Sequence, residues 1–189
     1  MSEKLPKRKD VRLKYYDYSQ NGYYFITVCT SDKKCFLSEV VGEGCDLKCP
    51  IDVKIKLTRY GNIVEKALMF LNNKEGIVID NYVIMPNHIH LIIIIKGSES
   101  RINDTYRDIN KAARSNETIP KIVSSLKRYT NKLCGNNIWQ RGYYEHIVRD
   151  EREYRETYEY IENNPIRWEF DEYSDIWQKI LKYVCKLQS

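Results

Sequence analysis

An α+β domain built on an antiparallel sheet is the fold class this sequence predicts, and three features predict it. Short runs of aromatic and β-branched residues alternate with two amphipathic helical stretches in the order β-α-β-β-α-β. After His88-Ile89-His90 the run Leu91-Ile92-Ile93-Ile94-Ile95 is apolar on both faces, as expected of a strand in mid-sheet. Pro86-Asn87, just before it, makes the turn that returns the chain antiparallel to the preceding strand.

Each element follows from its own residues. Tyr23 to Thr30 reads as the first strand, because aromatic and β-branched side chains fit a pleated, half-buried surface. Val41 to Lys56, with Gly42, Gly44 and Pro50, reads as a loop or a short hairpin insertion. Ile63, Ala67, Phe70 and Leu71 recur at helical spacing and define a first helix over 59–73. Ile77 to Met85 forms the second strand and His88 to Lys96 the third. The polar stretch Gly97 to Glu117 has no periodicity and serves as a connection. The stripe Ile119, Ile122, Val123, Leu126, Thr130, Leu133 predicts a second helix over 119–133, ended by Gly135-Asn136-Asn137. Ile138 to Arg149 supplies the fourth strand. This order is the ferredoxin-like split βαβ pattern. An additional C-terminal helix then runs from Glu151 to Asn163, with Asp150 as N-cap, Glu153 three positions on, and Pro165 as its stop.

The chain of 189 residues is long enough for one domain with a substantial core. No apolar run approaches the length needed to span a bilayer, and the first residues lack the apolar stretch of a secretory signal, so a cytoplasmic location and no membrane partner are expected. Six cysteines are spread without zinc-ribbon spacing; Cys45 and Cys49 make an isolated close pair, and reduced thiols are expected. The domain plan is a basic arm over 1–14, a central domain over 15–168, and a C-terminal extension over 169–189 that packs on it.

Net charge is only +5, but the cations cluster. Between Thr118 and Arg149, Lys121, Lys127, Arg128, Lys132, Arg141 and Arg149 are opposed by Glu145 alone. Interleaved aromatics (Tyr129, Trp139, Tyr143, Tyr144) fit a polyanion whose bases can be stacked upon. The alternative is a solvated surface plus a disordered tail, with Tyr129 expected to pack beside Ile122 and Trp139 to pack inside.

His88 and His90 are two of the chain's three histidines. At spacing i, i+2 on a strand they share a face, with Cα atoms roughly 7 Å apart, a distance at which two imidazoles can converge on one divalent ion. Buried without partners they would cost ~1–3 kcal/mol each, so a compensating group is expected. Two imidazoles alone favour a borderline ion such as zinc. The third, His146, is expected to be structural.

On the C-terminal helix, Tyr154, Tyr158 and Ile161 form the apolar stripe. Tyr160 lies roughly 120° away from it, on the side of Glu153, Glu156 and Asn164. Asn164 sits one helical turn beyond Tyr160, where its amide can act as a cap before Pro165 or as an oxygen ligand.

These pieces together resemble the HUH single-tyrosine transposases, specifically the REP-associated tyrosine transposase branch. The matching segments are Tyr24-Phe25-Ile26-Thr27, Leu57-Thr58-Arg59-Tyr60-Gly61-Asn62-Ile63-Val64, and Tyr82-Val83-Ile84-Met85-Pro86-Asn87-His88-Ile89-His90-Leu91. Trp139-Gln140-Arg141-Gly142-Tyr143-Tyr144-Glu145-His146-Ile147 and Tyr158-Glu159-Tyr160-Ile161-Glu162-Asn163-Asn164-Pro165 complete the set. The likeness extends over about residues 15–168; the Val41–Lys56 and Gly97–Glu117 stretches depart from the family's pattern.

The resemblance implies that Tyr160 is a nucleophile and that His88, His90 and Asn164 hold a divalent metal, Mg2+ or Mn2+, of which Mn2+ suits imidazole better. It implies a covalent 5′-phosphotyrosine intermediate, release of a 3′-OH, and a single-stranded DNA partner containing a REP-like hairpin. Lys127, Arg128, Lys132, Arg141 and Arg149 are the expected DNA contacts. Relatives of this kind act as monomers or homodimers. Two rival readings are a non-catalytic nucleic-acid-binding module on the same fold, and a small hydrolase in which the histidines activate water. The first predicts binding without metal-dependent nicking, the second turnover without a protein–DNA adduct.

Overall fold

The computed structural model describes residues 17–42, 53–97 and 118–168. The expected N-terminal arm, the C-terminal extension, Cys45 and Cys49, and nearly all of the Gly97–Glu117 connection lie outside them.

Among the described residues six strands and three α-helices follow one another: β1 (Gly22–Cys29), β2 (Ser38–Val41), β3 (Lys54–Leu57), α1 (Arg59–Asn72), β4 (Ile77–Ile84), β5 (His88–Ile95), α2 (Thr118–Cys134), β6 (Tyr144–Val148) and α3 (Glu151–Asn163). Four of the strands form one sheet in the order β4-β5-β1-β6, every neighbour pair antiparallel. β1 and β4 therefore run parallel with β5 between them, as the split βαβ pattern requires. β2 and β3 pair separately as a two-stranded antiparallel ribbon at the two ends of the 41–56 stretch, most of which lies outside the described residues.

Side-chain parity divides the sheet into two faces. Tyr24, Ile26 and Val28 of β1 and Ile89, Leu91 and Ile93 of β5 join Val64, Leu68 and Leu71 of α1 and Ile122, Val123 and Leu126 of α2 in the main core. The opposite parity of β5 carries His88, His90 and Ile92. On that second face a smaller core of Val83, Met85, Ile92 and Ile161 seats α3. β5 is buried along its whole length, as its two-sided apolar composition demands.

Local chemistry fixes the helix ends. The Thr58 side chain caps α1 by accepting from Gly61 N, and its hydroxyl reaches the carbonyls of Phe36 and Leu37. Gly61 lies so close to Leu37 that a Cβ there would sit 2.1 Å from the Leu37 carbonyl oxygen. Only glycine allows this approach. Asp150 caps α3 by accepting from Glu153 N at 2.8 Å. The Glu153 carboxylate does not reciprocate onto Asp150 in capping-box fashion; it accepts from Arg149 N and from His146.

Three expectations are corrected. The strand expected over 138–149 is confined to Tyr144–Val148, because Trp139 turns into the core, makes only an isolated bridge with Thr30, and donates its indole N–H to Thr130 Oγ1 at 2.7 Å. Phe70 and Leu133 do not join the buried stripes of their helices and stand exposed. Tyr129 is likewise exposed rather than packed beside Ile122, and stacks on Phe70 across the two helices.

Candidate active site

β5 places both imidazoles on the sheet face that α3 covers, and the register decides their neighbours. His90 lies opposite Thr27 on β1 and opposite Val83 on β4. His88 lies opposite Cys29. The two rings stand 4.4 Å apart between centroids, and both are almost wholly buried. Phe25, two residues from Thr27 on the same face, stacks on His90 at 5.2 Å.

The compensation that buried histidines require comes from specific partners. Asn87 donates its amide N–H to the Lys33 carbonyl, which fixes the amide's orientation and leaves Oδ1 facing His88 Nδ1 at 2.8 Å. An amide oxygen can only accept, so His88 carries its proton on Nδ1 and presents Nε2 as a lone pair. His90 Nδ1 meets the Thr27 hydroxyl at 2.8 Å, and its Nε2 lies 3.4 Å from the Tyr160 hydroxyl.

Burial holds both rings neutral. The pKa of His90 falls to about 3 through desolvation. His88 is also pushed well below the ordinary imidazole value, first by burial and then by repulsion from His90 and Lys33, with the Asn164 amide acting weakly in the opposite sense. Two neutral imidazoles, that of His88 in a fixed tautomer, are suited to be a metal ligand pair.

α3 delivers the other two groups. Ile161 is fully buried and anchors the helix, while Tyr160, one residue earlier, is 37% exposed and turns toward His90. Its ring lies 5.2 Å from the His90 ring and edge-on to Phe25 at 6.0 Å. Asn164 keeps right-handed helical angles (φ −59°, ψ −41°) despite preceding Pro165, so the helical offset from Tyr160 persists. Its amide is buried; Asn164 Oδ1 and His88 Nε2 are both shielded from solvent, and the amide acts on the His88 ring. The four residues His88, His90, Tyr160 and Asn164 thus gather on one face of one sheet.

This donor set fits a divalent ion. Among the described residues no group of three His, Cys, Asp or Glu side chains forms a metal cage. Two imidazole nitrogens and an amide oxygen are an open set, whose remaining positions suit water and phosphate oxygens.

A latch holds α3 in register. The β4–β5 pairing skips Asp80 through a bulge between Ile79 and Asn81, and Asp80 and Asn81 both reach the helix. Tyr154 donates its hydroxyl to Asp80 Oδ2 at 2.6 Å, an interaction that raises the phenol's pKa to about 12. Asn81 donates to Glu162 Oε1 at 3.1 Å.

The expected DNA-contacting cations do not assemble into one patch. Lys127 is held inward, donating to the Gln140 and Gly142 carbonyls at 2.6 and 2.7 Å. Arg128 and Lys132 line a groove on the outer side of the helix layer, behind the sheet. Arg141 and Arg149 are exposed on either side of β6. His146 bonds Glu153, in keeping with a structural role. Thr27, Phe25 and Asn87 support the histidines yet were not singled out from the sequence. Only the β1–β5 register reveals Thr27 and Phe25, whereas Asn87 adjoins His88 in the chain.

Comparison with known families supplies the class of protein to which this fold belongs. The chain belongs to the transposase IS200-like family, whose model matches residues 54–164. An uncharacterized protein of Haemophilus influenzae is 36% identical over 179 residues, covering 87% of this chain and 92% of that protein. A putative REP-associated tyrosine transposase of the same species is 24% identical over 162 residues, with 85% and 80% covered. The REP-associated tyrosine transposase of Escherichia coli is 23% identical over 111 residues, with 59% and 58% covered. The solved structure of a REP-associated tyrosine transposase bound to a REP hairpin shares the fold, with a TM-score of 0.56 at 20% identity over 82% of this chain and 74% of that one. No helix among the described residues is long and apolar enough to cross a membrane.

Proposed function

We propose that this transposase-family chain cleaves and rejoins single-stranded DNA beside a hairpin, through a covalent bond between Tyr160 and a 5′ phosphate. The observation that carries the reading is Tyr160, a residue 37% exposed whose hydroxyl lies 3.4 Å from one of two buried neutral imidazoles.

That arrangement supports the following reaction. The Tyr160 oxygen attacks phosphorus in line with the departing 3′ oxygen. A phosphorus–tyrosine bond forms as the phosphorus–O3′ bond breaks, and the 3′ oxygen takes a proton from solvent to leave as a hydroxyl. The ester so formed keeps the bond energy, so a 3′-OH from another strand can reverse the step without a nucleotide cofactor. The phenolic proton must leave during attack. His90 is a poor acceptor for it, because burial disfavours the charged imidazolium. Solvent reaching the exposed edge of Tyr160 is the better sink, and His90 is left as a ligand.

His88, His90 and Asn164 would hold the divalent ion, Mn2+ or Mg2+, and such an ion when bound supplies charge neutralisation at the scissile phosphate. Asn87 and Thr27 keep both imidazoles in place for this. The hairpin partner is proposed by analogy with the structural relative that was solved with a REP hairpin. Arg141 and Arg149, exposed on either side of β6, are suited to hold its backbone.

A labelled single strand carrying a hairpin, incubated with the protein and Mn2+ and run on a denaturing gel, tests the reading. A slow-migrating protein–DNA adduct is expected from wild type and none from Tyr160→Phe, which should still bind the DNA. His88→Ala, or chelation of the ion, should also abolish the adduct. Binding with no cleavage by wild type would favour the binding-module reading. Cleavage that survives Tyr160→Phe would favour a hydrolase.

A further inference from the structure

The face of the molecule opposite Tyr160 holds a second feature that the strand-transfer chemistry does not use. α1 and α2 lie side by side on the sheet, and their outer seam opens into a groove of about 350 Å3. Its floor includes buried Leu126, and its rim carries Lys74, Arg128 and Lys132 with no acidic side chain among the lining residues. Across the seam Phe70 and Tyr129 stack with planes 11° apart and centroids 6.2 Å apart. Both are exposed, Phe70 at 60% and Tyr129 at 45%. Lys74 Nζ stands 5.6 Å from the Phe70 ring.

An exposed, nearly parallel aromatic pair beside three cations needs an explanation. Packing does not supply it, because the helix seam closes beneath the rings through Ala67, Leu71 and Leu126. A symmetric second copy is a poor occupant, since its three cations would face these three. An apolar peptide would desolvate the cations without offering them partners. A strand with flat rings and regularly spaced negative charge matches both features at once.

We infer that this groove is a second single-stranded DNA site, in which an unpaired base extends the Phe70–Tyr129 stack and Lys74, Arg128 and Lys132 hold the flanking phosphates. The inference rests on the proposed function only in taking DNA as the polyanion. Such a site, on the helix layer, would keep a flanking strand bound while the other face of the sheet carries out cleavage.

The test uses the full chain carrying Tyr160→Phe, so that equilibrium binding is read without covalent capture. An unstructured oligothymidylate of about twenty nucleotides, substituted with 5-iodouracil, is bound and irradiated, and the cross-linked peptides are identified by mass spectrometry. Cross-links at Phe70 and Tyr129 are expected. Replacing both by alanine should weaken binding about tenfold or more, whereas Tyr129→Phe, which keeps the ring, should not. Lys74→Ala with Lys132→Ala should flatten the salt dependence of binding.

Unchanged affinity in the double alanine variant, or cross-links confined to other faces, would overturn the inference. So would loss of binding to phosphatidylserine vesicles with oligonucleotide binding intact, since the groove would then serve a lipid surface. Failure of wild type to form any adduct on a hairpin strand would sink the strand-transfer reading instead, and the groove measurements do not depend on it. The double alanine variant, with Tyr160 intact, should still form that adduct.

Discussion

His88 owes its fixed tautomer to one neighbour in the chain. Asn87, its own amide pinned by the Lys33 carbonyl, leaves an acceptor for the Nδ1 proton and turns the Nε2 lone pair toward Asn164. Replacing Asn87 by Ala should leave the strand intact but release the ring. A fall in the initial rate of adduct formation by about 10–100-fold is expected, the range typical of groups that orient metal-binding imidazoles. An unchanged rate would mean that tautomer control is not needed. At this scale the sequence was informative because strand parity is exact: an i, i+2 pair must share a face. It was equally informative for Tyr160, since its angle from Ile161 on a helix is set by geometry alone. Thr27 was hidden because its role exists only through pairing with a strand sixty-three residues away, and register is not written in either strand by itself.

The helices carry their own predictions. α3 is held by Ile161 in the smaller core and by the Tyr154–Asp80 and Asn81–Glu162 bonds. Ile161→Ala should cost about 2–5 kcal/mol by the loss of a fully buried side chain, read by chemical denaturation, and should lower adduct yield even where the protein remains folded. Gly61→Ala brings a methyl against the Leu37 carbonyl and should cost about 1–3 kcal/mol, read as a fall in melting temperature.

Glu153 gives α3 a pH dependence. The N–H of Arg149, and then the His146 ring, hold its carboxyl below the usual 4.5. A depressed carboxylate pKa stabilises the fold above the unfolded value, and that contribution disappears as pH falls from about 4.5 through the lower folded value. Thermal melts between neutral and acidic pH should therefore show an acid-side loss in wild type that Glu153→Gln lacks. Elements were legible wherever periodicity was strong, as in α1, α2, β5 and α3. The fourth strand was overextended because Ile138 and Trp139 have strand-like side chains, while tertiary contacts, the indole bond to Thr130 and the Lys127 bonds to loop carbonyls, turn that segment inward. Phe70, Tyr129 and Leu133 matched the helical period yet stand outside the core, because two helices lying side by side on a sheet bury a narrower stripe than their apolar residues span.

At the scale of the whole fold, the described residues centre on a four-stranded sheet with two occupied faces. α1 and α2 cover one and make the main core; α3 and the histidine pair occupy the other, so that the helix bearing the nucleophile rests directly on the strand bearing the ligands. That arrangement follows from β5, whose isoleucines serve both sides and whose first and third residues face α3. The order of elements and the split βαβ topology could be read from the chain, but the meeting of α3 with β5 could not, since no local pattern says which face a terminal helix will cover. Everything proposed for the chemistry depends on that meeting. With sixteen tyrosines in the chain, the most direct measurement is to form the adduct on a hairpin-containing single strand, digest it, and identify by mass spectrometry the residue that carries the nucleotide. The nucleotide is expected on Tyr160, linked through a 5′ phosphate; finding it on another tyrosine, Tyr144 or Tyr158 for example, would contradict the account.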